Sequence, residues 1–145
     1  MNHRPISQVI ADRKFVSVTT RSSVREVARL MKKHHTCAVL VIDRSEDLVG
    51  ICTERDVVLN VVAIRRDPDQ VKVTDIMTRN PQSISATKPF GHALHMMYEG
   101  GFHHVPVVDA HHHAVGILSA RDALAVDAVE FEHELIQREE ITVIL

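Results

Sequence analysis

Gly50-Ile51-Cys52-Thr53-Glu54-Arg55-Asp56 and Gly116-Ile117-Leu118-Ser119-Ala120-Arg121-Asp122 are one seven-residue pattern written twice, 66 residues apart. Sliding the chain over itself by that interval, without a gap, pairs residues 17–56 with 83–122, and ten of the forty pairs are identical. Outside the pattern the identities include Ser17/Ser83, Met31/Met97, Val39/Val105, Val41/Val107 and Asp43/Asp109. Pairs that keep their character, such as Val18/Ile84 and Thr53/Ser119, extend the likeness. Self-similarity at a fixed interval marks a duplicated structural unit.

Worked outward from the repeated pattern, each unit reads β-α-β-β-α. In the first, the β-branched run 15–18 leads through polar residues 19–23 to a helix start, where Ser23 and Glu26 have capping-box spacing. Val24, Val27, Ala28 and Met31 recur with helical period while Arg25, Arg29, Lys32 and Lys33 take the opposite face. Residues 38–42 and 48–52 are apolar runs too short for helices, joined by polar 43–47, which predicts a hairpin. From Thr53 the chain turns helical again through 57–64, a run apolar on nearly every face.

The second unit repeats this order. Its strand is 82–84, its helix stripe Phe90, Ala93, Leu94 and Met97, and its hairpin 105–108 with 114–118 about a tip at 109–113. Ser119 opens a last helix expected to run to about Gln137 on Leu124, Ala128, Phe131 and Leu135. The predicted class is α+β, two repeats over 6–66 and 71–130 with a C-terminal extension over 131–145. Ile6, Val9 and Ile10 are candidate packing anchors before the first repeat, and apolar Ile141-Thr142-Val143-Ile144-Leu145 is expected to dock.

At 145 residues, 45% apolar and 25% charged, the composition is that of one globular domain. A domain of roughly 60 residues buries only about 60% of its unfolded surface, so the two repeats are expected to pack on each other. A net charge of −2 with both signs interspersed provides no basic stripe, and four Phe with one Tyr make no stacking platform. Nucleic acid is therefore excluded as the main partner. No run reaches the roughly 18–20 apolar residues of a membrane span, and the polar start lacks a secretory signal, so no membrane is expected and the cytoplasm is the predicted compartment. Cys37 and Cys52 lie in apolar runs and read as buried, unpaired thiols of a reducing compartment.

A hydroxyl three residues before a carboxylate is first of all a helix cap. Three features add to that reading: a glycine three residues before each hydroxyl, an arginine before each carboxylate at the helix end that disfavours cations, and survival of the whole pattern in two diverged copies. Hydroxyl, free N–H groups and arginine suit a phosphate, and a carboxylate one turn further accepts hydrogen bonds from a ribose diol. A nucleotide fits that combination better than an inorganic anion.

The β-α-β-β-α unit ending in Gly-h-x-[Thr/Ser]-x-x-Asp, present twice, resembles the cystathionine β-synthase (CBS) domain pair, or Bateman module. The resemblance covers about 6–129, and Phe102-His103-His104-Val105-Pro106-Val107-Val108-Asp109 reads like a typical member segment. It implies two pseudo-twofold-related repeats with two clefts for adenosine ligands, with AMP, ADP or ATP foremost and S-adenosylmethionine or NAD as further candidates. By position, Asp56 and Asp122 would hold ribose hydroxyls, Thr53 and Ser119 would contact phosphate, and Arg55 and Arg121 would assist there. Main-chain groups around Ser17, Val18 and Ala38, with Ser83, Ile84 and His104 in the second repeat, would line the adenine. Two departures argue against equal occupancy of the clefts: Val9-Ile10-Ala11-Asp12 does not match the family-like Asp75-Ile76-Met77-Thr78, and Leu40 stands where Pro106 does.

His111-His112-His113 falls on the second hairpin tip and reads as a solvated turn rather than a metal centre, which needs a closed ligand set. His103 and His104 read as cleft-wall residues. No nucleophile and base stand at a recognisable spacing, so no enzymatic activity is expected. The reading is a regulatory adenine-nucleotide sensor, a homodimer through the paired-module habit of the family. The length leaves no room for a catalytic or channel domain, so an unidentified effector protein is expected to respond in trans. Its rivals are a dimeric scaffold with non-functional clefts, a histidine-based metal or pH sensor, and an enzyme acting on the nucleotide.

Overall fold

Polar runs at 43–47 and 109–113 interrupt apolar segments too short for helices, and each becomes the tip of an antiparallel hairpin. The computed structural model describes residues 3–144, without the side chains of residues 126, 129–131 and 139–144. The first half of the chain runs α1 (Ile6–Ile10), β1 (Ser17–Thr19), α2 (Val24–His34), β2 (Ala38–Ile42), β3 (Leu48–Thr53) and α3 (Glu54–Val57). A π-helical turn over Val58–Val62 and a 3-10 turn over Val73–Asp75 follow. The second half runs β4 (Thr78–Arg79), β5 (Ile84–Ser85), α4 (Phe90–Gly100), β6 (His104–Val108), β7 (Ala114–Ser119) and α5 (Arg121–Ile144). The expectations for Phe131 and for the docking of 141–145 lie outside what is described.

The sheets carry the duplication in their register. β1 pairs in parallel with β2, which pairs antiparallel with β3, and β5-β6-β7 repeats that arrangement. Both hairpins shift register at equivalent places, between Val41 and Ile42 and between Val107 and Val108. β4, which has no counterpart in the β-α-β-β-α order expected from the sequence, adds a fourth strand by pairing Thr78 and Arg79 with Ile51 and Gly50 of β3. The hairpin tips also meet, with a bridge between Asp47 and His113 and a bond from the Leu48 N–H to the His112 carbonyl at 3.3 Å.

Helix α2 begins where Ser23, in extended conformation, accepts a hydrogen bond from the Glu26 N–H at 3.2 Å. It buries Val24, Val27 and Met31, but the expected stripe is corrected at Ala28, which is exposed while Leu30 packs on the core. The helix rolls so that the larger side chain takes the apolar contact. Its counterpart α4 buries Phe90, Ala93 and Met97. Beyond α3 the expected regular helix widens into the π-turn, closed by the Ala63 N–H on the Val58 carbonyl at 2.9 Å. Only Val61 of that turn is buried, and Val58, Leu59, Val62 and Ile64 stay exposed.

The repeats interlock by exchanging their leading segments. Ile6 is fully buried among Phe90, Met97, Val105 and Leu118 of the second repeat, with Val9 and Ile10 packed beside it. Conversely Val71, Val73 and Ile76 belong to the core of Val24, Val27, Val39 and Val41 in the first. The backbone follows suit. Ile6 N–H bonds the Lys88 carbonyl and Phe90 N–H the Arg4 carbonyl, while Val24 N–H bonds the Val71 carbonyl and Val73 N–H the Ser22 carbonyl, each at 2.9 Å. A third cluster of Ala38, Leu40, Leu48, Ile51 and Val108 joins the two sheets.

Candidate functional site: two clefts at the repeated pattern

The exchange explains the glycine of the repeated pattern. A Cβ at Gly50 would lie 2.3 Å from the Met77 sulfur, and one at Gly116 would lie 2.9 Å from Ile10 Cδ1. The close approach inferred from sequence is thus made by the protein's own exchanged segments. Downstream, the Glu54 N–H bonds the Cys37 carbonyl and the Ala120 N–H bonds the His103 carbonyl, both at 2.9 Å. These equivalent bonds pin each pattern against the start of the neighbouring strand.

Each pattern then opens onto a cleft whose facing wall comes largely from the other repeat's leading segment or helix end. The first cleft, about 800 Å³, sets Thr53, Arg55 and Asp56 against 80–82 and 100–104. The second, about 380 Å³, sets Ser119, Arg121 and Asp122 against 13–15 and 34–38. The smaller volume has a visible cause. Gly100 and Gly101 on the first wall are replaced at the equivalent positions by His34 and His35 on the second. His35 even takes the left-handed conformation (φ 51°) that Gly101 (φ 69°) adopts without steric cost.

The helix-cap reading of the pattern is realised. Thr53 Oγ1 accepts from the Asp56 N–H at 3.4 Å, and Asp56 Oδ2 accepts from the Thr53 N–H at 2.9 Å and its hydroxyl at 3.2 Å. Asp56 Oδ1 accepts nothing among the described residues. In the second repeat Asp122 Oδ2 accepts from the Ser119 N–H at 2.8 Å, and Ser119 Oγ accepts from the Arg121 N–H at 3.1 Å. Here a residue that sequence reasoning missed intervenes. Arg13 Nη1 and Nη2 grip Asp122 Oδ1 and Oδ2 at 2.5 and 3.1 Å, and Nη2 also bonds the Ile117 carbonyl at 2.9 Å. A signal existed: Arg13 and Arg79 are 66 apart and identical, just outside the aligned window. Yet Arg79 donates instead to the Thr74 carbonyl at 2.9 Å.

The remaining candidates divide. Ala38 lines the second cleft and His104 lines both, whereas Ser17, Val18, Ser83 and Ile84 line neither, and the side chains of Val18 and Ile84 are in the cores. Cys37, expected to be buried, is only half-buried and lines both clefts, its sulfur 3.3 Å from His104 Nε2. The two clefts therefore share a wall. Burial, reinforced by neighbouring His103, pushes the His104 imidazole below its ordinary range against the pull of Glu54 and Asp122. Cys52 is buried, its thiol pushed up to about 12 by burial and by Asp56.

At the second hairpin tip Asp109 Oδ1 accepts from the N–H groups of His111 and His113 at 2.8 and 3.0 Å. These bonds hold its carboxyl below the usual range and shape the turn through backbone. Among the described residues no group of three His, Cys, Asp or Glu side chains could hold a metal, and no helix is long and apolar enough to cross a membrane.

The sequence model of the CBS domain matches the chain twice, over residues 6–63 and 73–128. The chain belongs to the CBS domain family. As a tandem CBS pair it superposes on an uncharacterised conserved protein from Pyrococcus horikoshii with a TM-score of 0.79, at 28% identity over 88% of this chain and 94% of that one. A CBS domain protein from Pyrobaculum aerophilum, solved as a complex with AMP, gives a TM-score of 0.76 at 30% identity over 82% of this chain and 89% of that one. In sequence, a CBS domain-containing protein of Arabidopsis thaliana is 36% identical over 74% of this chain, which spans 20% of the plant protein.

Proposed function

We propose that this CBS pair is a cytoplasmic, non-enzymatic sensor of adenine nucleotides that regulates an effector protein in trans. The observation that carries the reading is the pair of clefts, each joining a capped helix start with carboxylate and hydroxyl to a wall of the other repeat. The AMP complex of the Pyrobaculum aerophilum protein supports the ligand class, AMP, ADP or ATP, with S-adenosylmethionine and NAD next in line. In this reading Asp56 and Asp122 accept from ribose, Thr53, Ser119, Arg55 and Arg121 serve phosphate, and Ala38 and His104 flank the base. The backbone around Ser17, Val18, Ser83 and Ile84 contributes from behind these walls. The module works as a homodimer, because Val58, Leu59, Val62 and Ile64 are 46–66% exposed and Leu124, equivalent to Val58, is 70% exposed.

The test is thermal melting with AMP, ADP, ATP, S-adenosylmethionine, NAD and GTP. At 100 times the dissociation constant, one site adds about 2.7 kcal/mol, which for a chain of this size is roughly 5–10 °C. Adenosine ligands are expected to raise the midpoint and GTP to do little. Asp56→Ala and Asp122→Ala each lose on the order of 1.5–3 kcal/mol at their own cleft, a tenfold to hundredfold weakening. An unchanged response in the double variant would return the protein to the scaffold reading.

A further inference from the structure

The two ribose anchors differ in what holds them. Among the described residues Asp56 keeps Oδ1 without a partner, whereas both oxygens of Asp122 are gripped by the Arg13 guanidinium at 2.5 and 3.1 Å. A bidentate arginine-carboxylate pair is among the stronger and more geometrically specific polar contacts. A ribose diol entering the second cleft competes with Arg13 for the same oxygens, and a diol that takes both displaces it. The released guanidinium remains in a cleft only about 380 Å³ in volume, beside Lys14 and Arg121, with Asp122 as the one carboxylate lining it. In the first cleft the balance is inverted, with Glu54 and Asp56 facing a single full cation, Arg55.

We propose that Arg13 is a specificity-determining residue that makes the second cleft selective for polyphosphate-bearing ligands, leaving the first to nucleosides and nucleotides of low charge. A neutral nucleoside displaces Arg13 and offers it nothing in return. A triphosphate gives the displaced guanidinium and its two cationic neighbours three phosphate groups to bind. Affinity in the second cleft therefore climbs more steeply with phosphate number than affinity in the first, where Arg55 alone meets the phosphate charge. For uncharged ligands the first cleft is therefore the stronger site. The proposal rests on the adenine-nucleotide reading above and adds the division of labour between the clefts.

The experiment is calorimetric titration with adenosine, AMP, ADP and ATP in EDTA, on Asp56→Ala protein to isolate the second cleft and Asp122→Ala protein to isolate the first. In Asp56→Ala protein ATP is expected to bind at least about a hundredfold tighter than adenosine, since each charge-assisted contact is worth roughly tenfold or more. Adding Arg13→Gln is expected to tighten adenosine, weaken ATP at least about tenfold and so collapse the ratio, while Arg13→Lys, which keeps the charge, retains a preference for ATP. Melting of each variant without ligand confirms that it is folded. The proposal is overturned if Arg13→Gln leaves the ATP-to-adenosine ratio unchanged or weakens both ligands equally. It is also overturned if Asp122→Ala protein shows the same climb with phosphate number. Wild-type protein that binds no adenine ligand at all removes the underlying reading as well, an outcome distinct from these.

Discussion

His104 ties both clefts to pH. It lines both clefts, its Nε2 touches the Cys37 sulfur, and burial with the neighbouring His103 keeps it from protonating in the fold as readily as in the unfolded chain. The unfolded chain therefore binds this proton first as pH falls. The stability contributed by neutral His104 is complete above about pH 6.5 and is lost as pH drops through the lower folded value. Glu54 and Asp122 oppose the shift and make the loss shallower. The expected outcome is a urea midpoint that declines as pH falls below about 6.5 in wild type and declines less in His104→Gln. Parallel slopes in the two proteins would assign the acid response to other groups. At this scale the repeated pattern was legible because a helix cap needs hydroxyl and carboxylate at fixed spacing. Arg13 was not, because it and Arg79 are the same residue and only their different positions in the fold direct one to a carboxylate and the other to a carbonyl.

Elements bounded by abrupt changes of polarity were legible nearly to the residue. The hairpins are such a case, since polar tips leave short apolar arms no other way to pair. β4 was not, because two polar residues acquire strand geometry only from the free edge of β3. The turn after α3 was half legible. Its all-round apolar sequence signalled more surface than one sheet covers, but the widening to a π-turn depends on where the chain must rejoin the connector. That turn leaves Val58 at 53% and Val62 at 66% exposure. Burying one such side chain is worth about 1.5–3 kcal/mol, enough for a few of them to hold two copies together. Wild type is expected to show a dimer mass by light scattering, and Val58→Asp with Val62→Asp a monomer of unchanged secondary structure. A wild-type monomer that persists across concentration and nucleotide addition contradicts the assembly.

For the whole molecule, the duplication could be read directly from the 66-residue interval, and mutual packing of the repeats from their size. The exchange of leading segments could not, because Ile6 and Val73 carry no mark of which core receives them. It has a consequence for how the chain comes apart. A break in the connector, between residues 68 and 69, yields two fragments, each holding the segment the other's core needs. Expressed alone, each fragment is expected to show no cooperative melt, and the two mixed are expected to reassemble and recover one. The intact chain accordingly has no half-folded state to rest in, and it should melt in a single calorimetric transition. A ligand that occupies either cleft is therefore expected to slow amide exchange throughout both sheets, so that binding in one repeat is read by hydrogen exchange as rigidity in the other.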